Sequence, residues 1–225
     1  MRKIFVLILL AVAVAAADPF NTVTAYTLPP QIGYIGPNVP VTIPLEEGGD
    51  ISIAPVLWAG YGIFPRFDMT LMIPASIYEG EFNLGDAMLE WRYELISYEM
   101  LSVSPVFDVF IPMYSGGSLS FGPGVMASAG FPALQLHTNL FYTTDFKGSA
   151  GELAFLTALE YWLYESFSLY TELNLYYSLD AKEATVEFWP GACWYPAQWL
   201  CFCVSCGVPT TLDYVSPGLA AYVSF

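Results

Sequence analysis

Four cysteines stand close together near the end of the chain, at positions 193, 201, 203 and 206. The spacing of the last three suggests a zinc site, but in a strand Cys201 and Cys203 share one face while Cys206 lies on the other. A strand also lacks the turn that wraps a tetrahedral zinc ion. We therefore predict no metal site. Cys193 and Cys201 flank a turn near Ala197, and we expect either a disulfide between them or four small, reduced side chains.

His137 is the only histidine of the chain, and Asn139 follows it closely. These residue types occur in serine hydrolases, where a base is held against a nucleophile. The sequence identifies no partner serine for His137, and it contains no phosphate-binding glycine loop and no zinc-protease motif. We predict that the chain is not an enzyme and uses no cofactor.

Charged residues follow an alternating pattern in the segments where apolar and polar residues alternate. In segment 88–96, leucine and aromatic residues alternate with Glu90, Arg92 and Glu94. No charge falls on the apolar register of such segments. We predict that the other register lines a lumen and contains Asp68, Glu90, Arg92, Glu94, Asp108, His137, Glu160, Glu172 and Glu187. Such a lining either favours cations in a pore or forms a filled polar network, with Arg92 pairing with Glu90 or Glu94.

The chain begins with the three parts of a secretory leader. The basic pair Arg2-Lys3 precedes an apolar run that is too short to span a bilayer, and Ala15 and Ala17 supply a cleavage site. We predict a signal peptide at 1–17 and export from the cytoplasm.

The composition excludes several classes of protein. The 225 residues carry a net charge of −15, are 56% hydrophobic and 17% aromatic, and have a mean hydropathy of +0.51. The negative charge does not favour nucleic acid as a partner, and the hydrophobicity excludes disorder. No apolar run after the leader is long enough for a transmembrane helix. High hydrophobicity without such a run is typical of a membrane β-barrel, in which only alternate side chains face lipid.

Twelve segments show strand-like patterns, each about as long as the ~9–11 residues of a tilted membrane strand. They are 31–43, 51–61, 66–74, 88–96, 101–111, 118–128, 134–143, 151–164, 167–177, 183–194, 198–208 and 215–225. Short turns alternate with longer polar loops between them, as in outer-membrane barrels. We predict an all-β fold, an antiparallel transmembrane barrel of about twelve strands over 31–225, with a periplasmic segment at 18–30.

Two further features bear on this barrel. Prolines within the predicted strands must lie at bulges or strand ends, because proline cannot donate to a ladder; they are Pro55, Pro105, Pro123, Pro190 and Pro217. The polar register also carries large rings that would narrow a lumen: Trp58, Phe110, Phe141, Trp162, Tyr170, Tyr176, Trp189 and Trp199.

The last strand ends in alternating apolar residues that include Tyr222 and the terminal Phe225. It resembles the signal by which bacterial outer-membrane proteins reach the barrel-assembly machinery. Segments 26–33 and 89–95 resemble small transporter-like barrels grouped with phenol meta-pathway proteins. The resemblance implies an outer-membrane location and passage of small, apolar molecules, and it transfers no functional residues.

The leading hypothesis is a porin-like passive channel or transporter with an acidic, aromatic-lined lumen. Its partners would be outer-membrane lipid, the assembly machinery and a small solute. Three alternatives remain open: a plugged structural or adhesion barrel, a lipid-acting barrel enzyme built around His137, and a secreted soluble β-sandwich or lipocalin-like binder.

Overall fold

The structure is a computed structural model that describes residues 24–46 and 48–225. The predicted signal peptide at 1–17 lies outside the described residues. Within the described part of the chain, no helix is long and apolar enough to cross a membrane.

Fifteen strands form one antiparallel sheet. They are β1 Gly33–Pro44, β2 Ser52–Ile53, β3 Val56–Phe64, β4 Phe67–Tyr78, β5 Glu81–Leu84, β6 Asp86–Tyr93, β7 Ile96–Tyr98, β8 Leu101–Pro112, β9 Ser120–Gly130, β10 Leu134–Asp145, β11 Glu152–Tyr164, β12 Phe167–Ser178, β13 Glu183–Ala197, β14 Leu200–Pro209 and β15 Tyr214–Ser224. Each of the twelve predicted segments overlaps one long strand, while β2, β5 and β7 are short additions to the sheet.

The sheet closes on itself because β1 pairs with β15, from Tyr34 opposite Ser224 to Pro44 opposite Tyr214. Closure leaves no open edge in the barrel wall, which is a requirement for strands that cross lipid. The predicted twelve-strand antiparallel barrel is confirmed.

The wall alternates as the sequence pattern predicts. Along β12, Leu169, Leu173 and Leu175 are exposed on the outer surface, whereas Glu172 and Asn174 are fully buried inside. A charge facing lipid near the middle of the bilayer costs about 2–4 kcal/mol for Arg or Lys, and an apolar outer face avoids that cost.

The strand prolines lie where a ladder is interrupted. Pro105 falls between the part of β8 that pairs with β6 and the part that pairs with β7. Pro123, Pro190 and Pro217 fall in gaps of the ladders to β10, β14 and β1 respectively, and Pro55 lies between β2 and β3. Each proline therefore occupies a position at which a neighbouring strand needs no amide donor.

The predicted loop at 75–83 is instead a hairpin. β4 continues to Tyr78 and pairs with β5 through a two-residue turn at Glu79-Gly80. Both turn residues have positive φ, which matches the tight turn that continues the twist of two antiparallel strands.

Candidate functional site

The chain passes through the barrel before it forms β1. We call residues Thr24–Leu28 the N-terminal strap. Ala25 is fully buried inside the barrel, against Val106 and Met126, with Phe141 packed beside them. Segment 18–30 was predicted to lie in the periplasm, but the strap occupies the lumen. Residues 18–23 of that segment lie outside the described residues, and for the strap the lumen offers hydrogen-bonding partners that its composition does not reveal.

Serine side chains of β8 and β9 hold the strap backbone at Ala25. The Ala25 amide donates to Ser128 Oγ at 2.7 Å. The Ala25 carbonyl oxygen accepts from Ser104 Oγ at 2.6 Å and from Ser102 Oγ at 3.2 Å. The strap is not paired with a strand, so inward-facing serines supply the hydrogen-bond partners that its buried backbone groups need.

Charged side chains hold the two ends of the strap. Arg92 forms a two-point pair with Asp68, Nη2 to Oδ2 at 2.7 Å and Nε to Oδ1 at 3.1 Å, and its Nη1 donates to the Thr24 carbonyl at 2.6 Å. The Leu28 amide donates to Asp68 Oδ2 at 2.7 Å. Pairing of Arg92 with Glu90 or Glu94 had been expected; the ion pair is instead with Asp68, which lies opposite Arg92 on β4.

Glu94 also contacts the strap. Its carboxylate accepts from Ser102 Oγ at 2.6 Å and from Thr27 Oγ1 at 3.3 Å. The strap is therefore bound to one side of the lumen, the side formed by β4, β6, β8 and β9.

His137 has a serine partner that the sequence analysis missed. Its Nδ1 lies 2.8 Å from Ser128 Oγ, because the two residues are directly opposite on β10 and β9. Ser128 is 1% exposed, and the Ala25 amide already donates to its oxygen. Ser128 therefore joins the strap backbone to His137 on the barrel wall. Knowledge of the β9–β10 register would have revealed it.

A cavity of about 400 Å³ lies inside the barrel, between the strap and the opposite wall. Glu90, Arg92, His137 and Glu160 face it together with aromatic rings. Arg92 is paired with Asp68, and the acidic side chains on the cavity wall are those of Glu90 and Glu160.

Eight of the nine predicted lining residues are buried inside the barrel: Asp68, Glu90, Arg92, Glu94, Asp108, His137, Glu160 and Glu172. The ninth, Glu187, is partly buried and accepts from Trp189 Nε1 at 2.9 Å and from the Tyr214 hydroxyl. The structure brings Asp68, Arg92 and Glu94 together at the strap. The remaining acids are spread along the lumen.

Several buried polar atoms have no hydrogen-bond partner among the described residues. They include both side-chain polar atoms of Asn139 and one oxygen of Asp108. Buried polar groups in native proteins are almost always paired with protein or water.

Aromatic rings lie over glycines of neighbouring strands inside the barrel. Tyr170 covers Gly191, and its hydroxyl donates to the Val204 carbonyl at 2.7 Å. The ring of Tyr34 covers Gly60. A Cβ at Gly191 would lie 1.8 Å from the Tyr170 hydroxyl, so only glycine fits there. The predicted lining ring Trp199 lies in the turn between β13 and β14 and is exposed, because that turn falls two residues earlier in the sequence prediction.

The disulfide also differs from the prediction. Cys193 bonds to Cys203, its direct neighbour across β13 and β14, and not to Cys201. The turn is centred on Gln198 and Trp199, not near Ala197, and the cross-strand partner of Cys193 is therefore two positions later than predicted.

The two predicted residues of the C-terminal signal lie at the closure of the barrel. Phe225 and Gly33 exchange two backbone hydrogen bonds of 2.9 Å, and the Phe225 ring is exposed. Tyr222 points into the cavity and stacks edge-on against Tyr34, with ring centres 5.9 Å apart. Recognition of these residues by the assembly machinery stays a prediction.

No protein-family model matches the chain, and none of the curated proteins matches it. Solved structures with similar folds include the KdgM porin (8% identity, 84% of this chain and 99% of that one, TM-score 0.66) and the NanC porin (12% identity, 84% and 98%, TM-score 0.66). An outer-membrane channel from Pseudomonas putida F1 gives 11% identity, 93% and 100% coverage, and a TM-score of 0.69.

The chain has the fold of the outer-membrane porins. The apolar outer face is the kind of surface that a membrane barrel presents to lipid. In such barrels the short turns lie on the periplasmic side. The short turns of this chain lie at the same end as the start of β1 and the end of β15.

Proposed function

We propose that this barrel is a passive outer-membrane channel for small solutes, and that the N-terminal strap narrows its path. The observation that carries the proposal is the cavity of about 400 Å³ that remains beside the strap. Solute would pass between the strap and the wall formed by β10 to β15 and β1.

The charge of the cavity favours cations and neutral molecules over anions. Asp68 neutralises Arg92, and the carboxylates of Glu90 and Glu160 remain on the lining. Rings of acidic side chains select cations in pores. One structure of KdgM is described as a complex with disordered oligogalacturonate, an anionic sugar chain. The lining of the present chain would repel such a polyanion, so we propose a different class of solute.

The rings on the cavity wall favour small solutes with an apolar surface. Tyr34, Trp58, Tyr195 and Tyr222 all face the cavity. Ring faces attract cations and stack on flat molecules. The resemblance to barrels grouped with phenol meta-pathway proteins agrees with small aromatic solutes, and we include these in the proposal.

A plugged structural barrel is the second candidate, and the strap itself favours it. Ala25 is fully buried, and serine, arginine and aspartate side chains bind the backbone from Thr24 to Leu28. If the strap never moves and the cavity does not reach both ends of the barrel, the strap would block the lumen and no solute would pass.

Reversal potentials in planar bilayers distinguish the two. With a potassium chloride gradient across the bilayer, we expect small conductance steps. We also expect a reversal potential with the sign of the potassium equilibrium potential, as a cation-selective channel gives. A reversal potential of the opposite sign would contradict the acidic-lining proposal. Absence of conductance from protein that still shows heat-modifiable mobility on gels would favour the plugged barrel.

A further inference from the structure

Three cysteine sulfurs meet on the inner wall of the barrel. Cys193 and Cys203 face each other on β13 and β14 with Cα atoms 4.1 Å apart and form the disulfide. Cys201 lies two residues before Cys203 on the same face, and its Sγ is 3.1 Å from Cys203 Sγ. All three sulfurs lie within 4.8 Å of one another.

The cluster is accessible from one side. Cys193 and Cys203 are fully buried, with Tyr170 and Tyr195 packed against them, whereas Cys201 is partly exposed and lines the cavity. A small ion in the cavity would therefore meet Cys201 first, with the other two sulfurs directly behind it.

We propose that reduction of the Cys193–Cys203 disulfide creates a three-sulfur site for copper(I). Thiolates are soft ligands that select copper(I) and zinc. Structural zinc sites use four protein ligands, and no fourth His, Cys, Asp or Glu joins this group among the described residues. A three-sulfur set suits copper(I), and the cavity that Cys201 lines also carries the acidic side chains of Glu90 and Glu160.

The chemistry balances with one co-reactant. A dithiol reduces the disulfide by supplying two electrons and two protons, and it becomes a disulfide itself. Copper(I) then binds the sulfurs of Cys193, Cys201 and Cys203, and the thiol protons that it displaces go to solvent. The oxidised form lacks two of the three ligands, so copper binding would depend on the redox state of the Cys193–Cys203 pair.

Cys206 takes no part in the cluster. It pairs with Pro217 and lies on the face of β14 opposite to Cys201 and Cys203. The missing third ligand comes from the neighbouring strand as Cys193, and only the register between β13 and β14 places it there.

Competition between the protein and a chromophoric copper(I) chelator tests the proposal. Detergent-solubilised full-length barrel is measured without reductant and after anaerobic reduction with a phosphine that is then removed. We expect the reduced barrel to take about one equivalent of copper(I) per chain and the oxidised barrel to take far less. Cys206→Ser is the matched control and should bind like the unsubstituted protein.

Cys201→Ser shows whether copper(I) needs all three sulfurs or only the reduced Cys193–Cys203 pair. This variant keeps the Cys193–Cys203 pair, so the barrel folds with its disulfide, and mobility on gels before and after boiling checks this. We expect its reduced form to bind copper(I) at least about tenfold more weakly. Equal binding by Cys201→Ser and by the unsubstituted barrel would overturn the proposal. So would a reduced barrel that takes no more copper than the triple variant Cys193→Ser/Cys201→Ser/Cys203→Ser.

Discussion

The guanidinium of Arg92 lies 2.6 Å from the carbonyl oxygen of Thr24, so one buried side chain joins the barrel wall to the segment inside it. The same guanidinium pairs with Asp68, whose Oδ2 accepts from both Arg92 Nη2 and the Leu28 amide. Both ends of the strap therefore depend on a single ion pair, and that pair is the natural point at which to disturb it.

Replacement of Arg92 by Ala should loosen the strap and increase the conductance of the barrel. Loss of one partner from a buried ion pair costs about 3–5 kcal/mol, because the Asp68 carboxylate is left uncompensated. The double variant Arg92→Ala/Asp68→Asn should recover much of that stability and keep the raised conductance. Arg66, exposed in the turn between β3 and β4, supplies the control variant Arg66→Ala. Urea unfolding in lipid vesicles measures stability, and bilayer recordings measure conductance. Unchanged conductance in both Arg92 variants would argue against the strap as the constriction.

Glu90 and Glu160 should set the charge selectivity of the channel. Their substitution by Gln keeps size and removes negative charge from the cavity lining. We expect Glu90→Gln/Glu160→Gln to shift the reversal potential toward zero in a salt gradient, because fewer acids face the path. Glu99→Gln, in the exposed turn before β8, should leave the reversal potential unchanged. Selectivity that survives the double substitution would mean that other acids, or the loops, determine it.

The outer face of β12 should tolerate only apolar residues. Leu173 is 47% exposed on the outside of the wall. Leu173→Arg should destabilise the barrel in vesicles by about 2–4 kcal/mol, as a charge in the hydrocarbon region does, whereas Leu173→Ile should be nearly neutral. Equal stability of the two variants would mean that this face does not contact acyl chains.

Much of the fold could be predicted from the sequence, because alternate residues of a barrel strand face lipid and the lumen and therefore differ in polarity. The alternation of Leu169 and Leu173 with Glu172 and Asn174 is visible without a structure, and so is the need for an interrupted ladder at Pro105. The number of strands followed from counting such segments.

The site could be predicted only in part, because it depends on register and on contacts to backbone atoms. Ser128 meets His137, and Cys193 meets Cys203, because of where two turns fall, and an error of two residues in one turn changed the disulfide partner. The strap was missed for another reason. Serines that bind a carbonyl and serines that face water look alike in a sequence.

A non-reducing peptide map tests the corrected register. Without reductant, alkylation of the unfolded protein should label Cys201 and Cys206, and the disulfide-linked peptide should join Cys193 to Cys203. With reductant, all four cysteines should carry the label. A linked peptide that contained Cys193 and Cys201 would restore the partner that the sequence suggested and would contradict the β13–β14 register.

The most direct test of the account is the single-channel conductance of the barrel with and without residues 18–28. The strap fills one side of the lumen and its removal empties that side, so we predict a severalfold larger conductance for the shortened barrel and retention of cation preference. The two proteins must show the same heat-modifiable mobility, so that both are known to be folded. Equal conductance in the two barrels would contradict a strap that occupies the path.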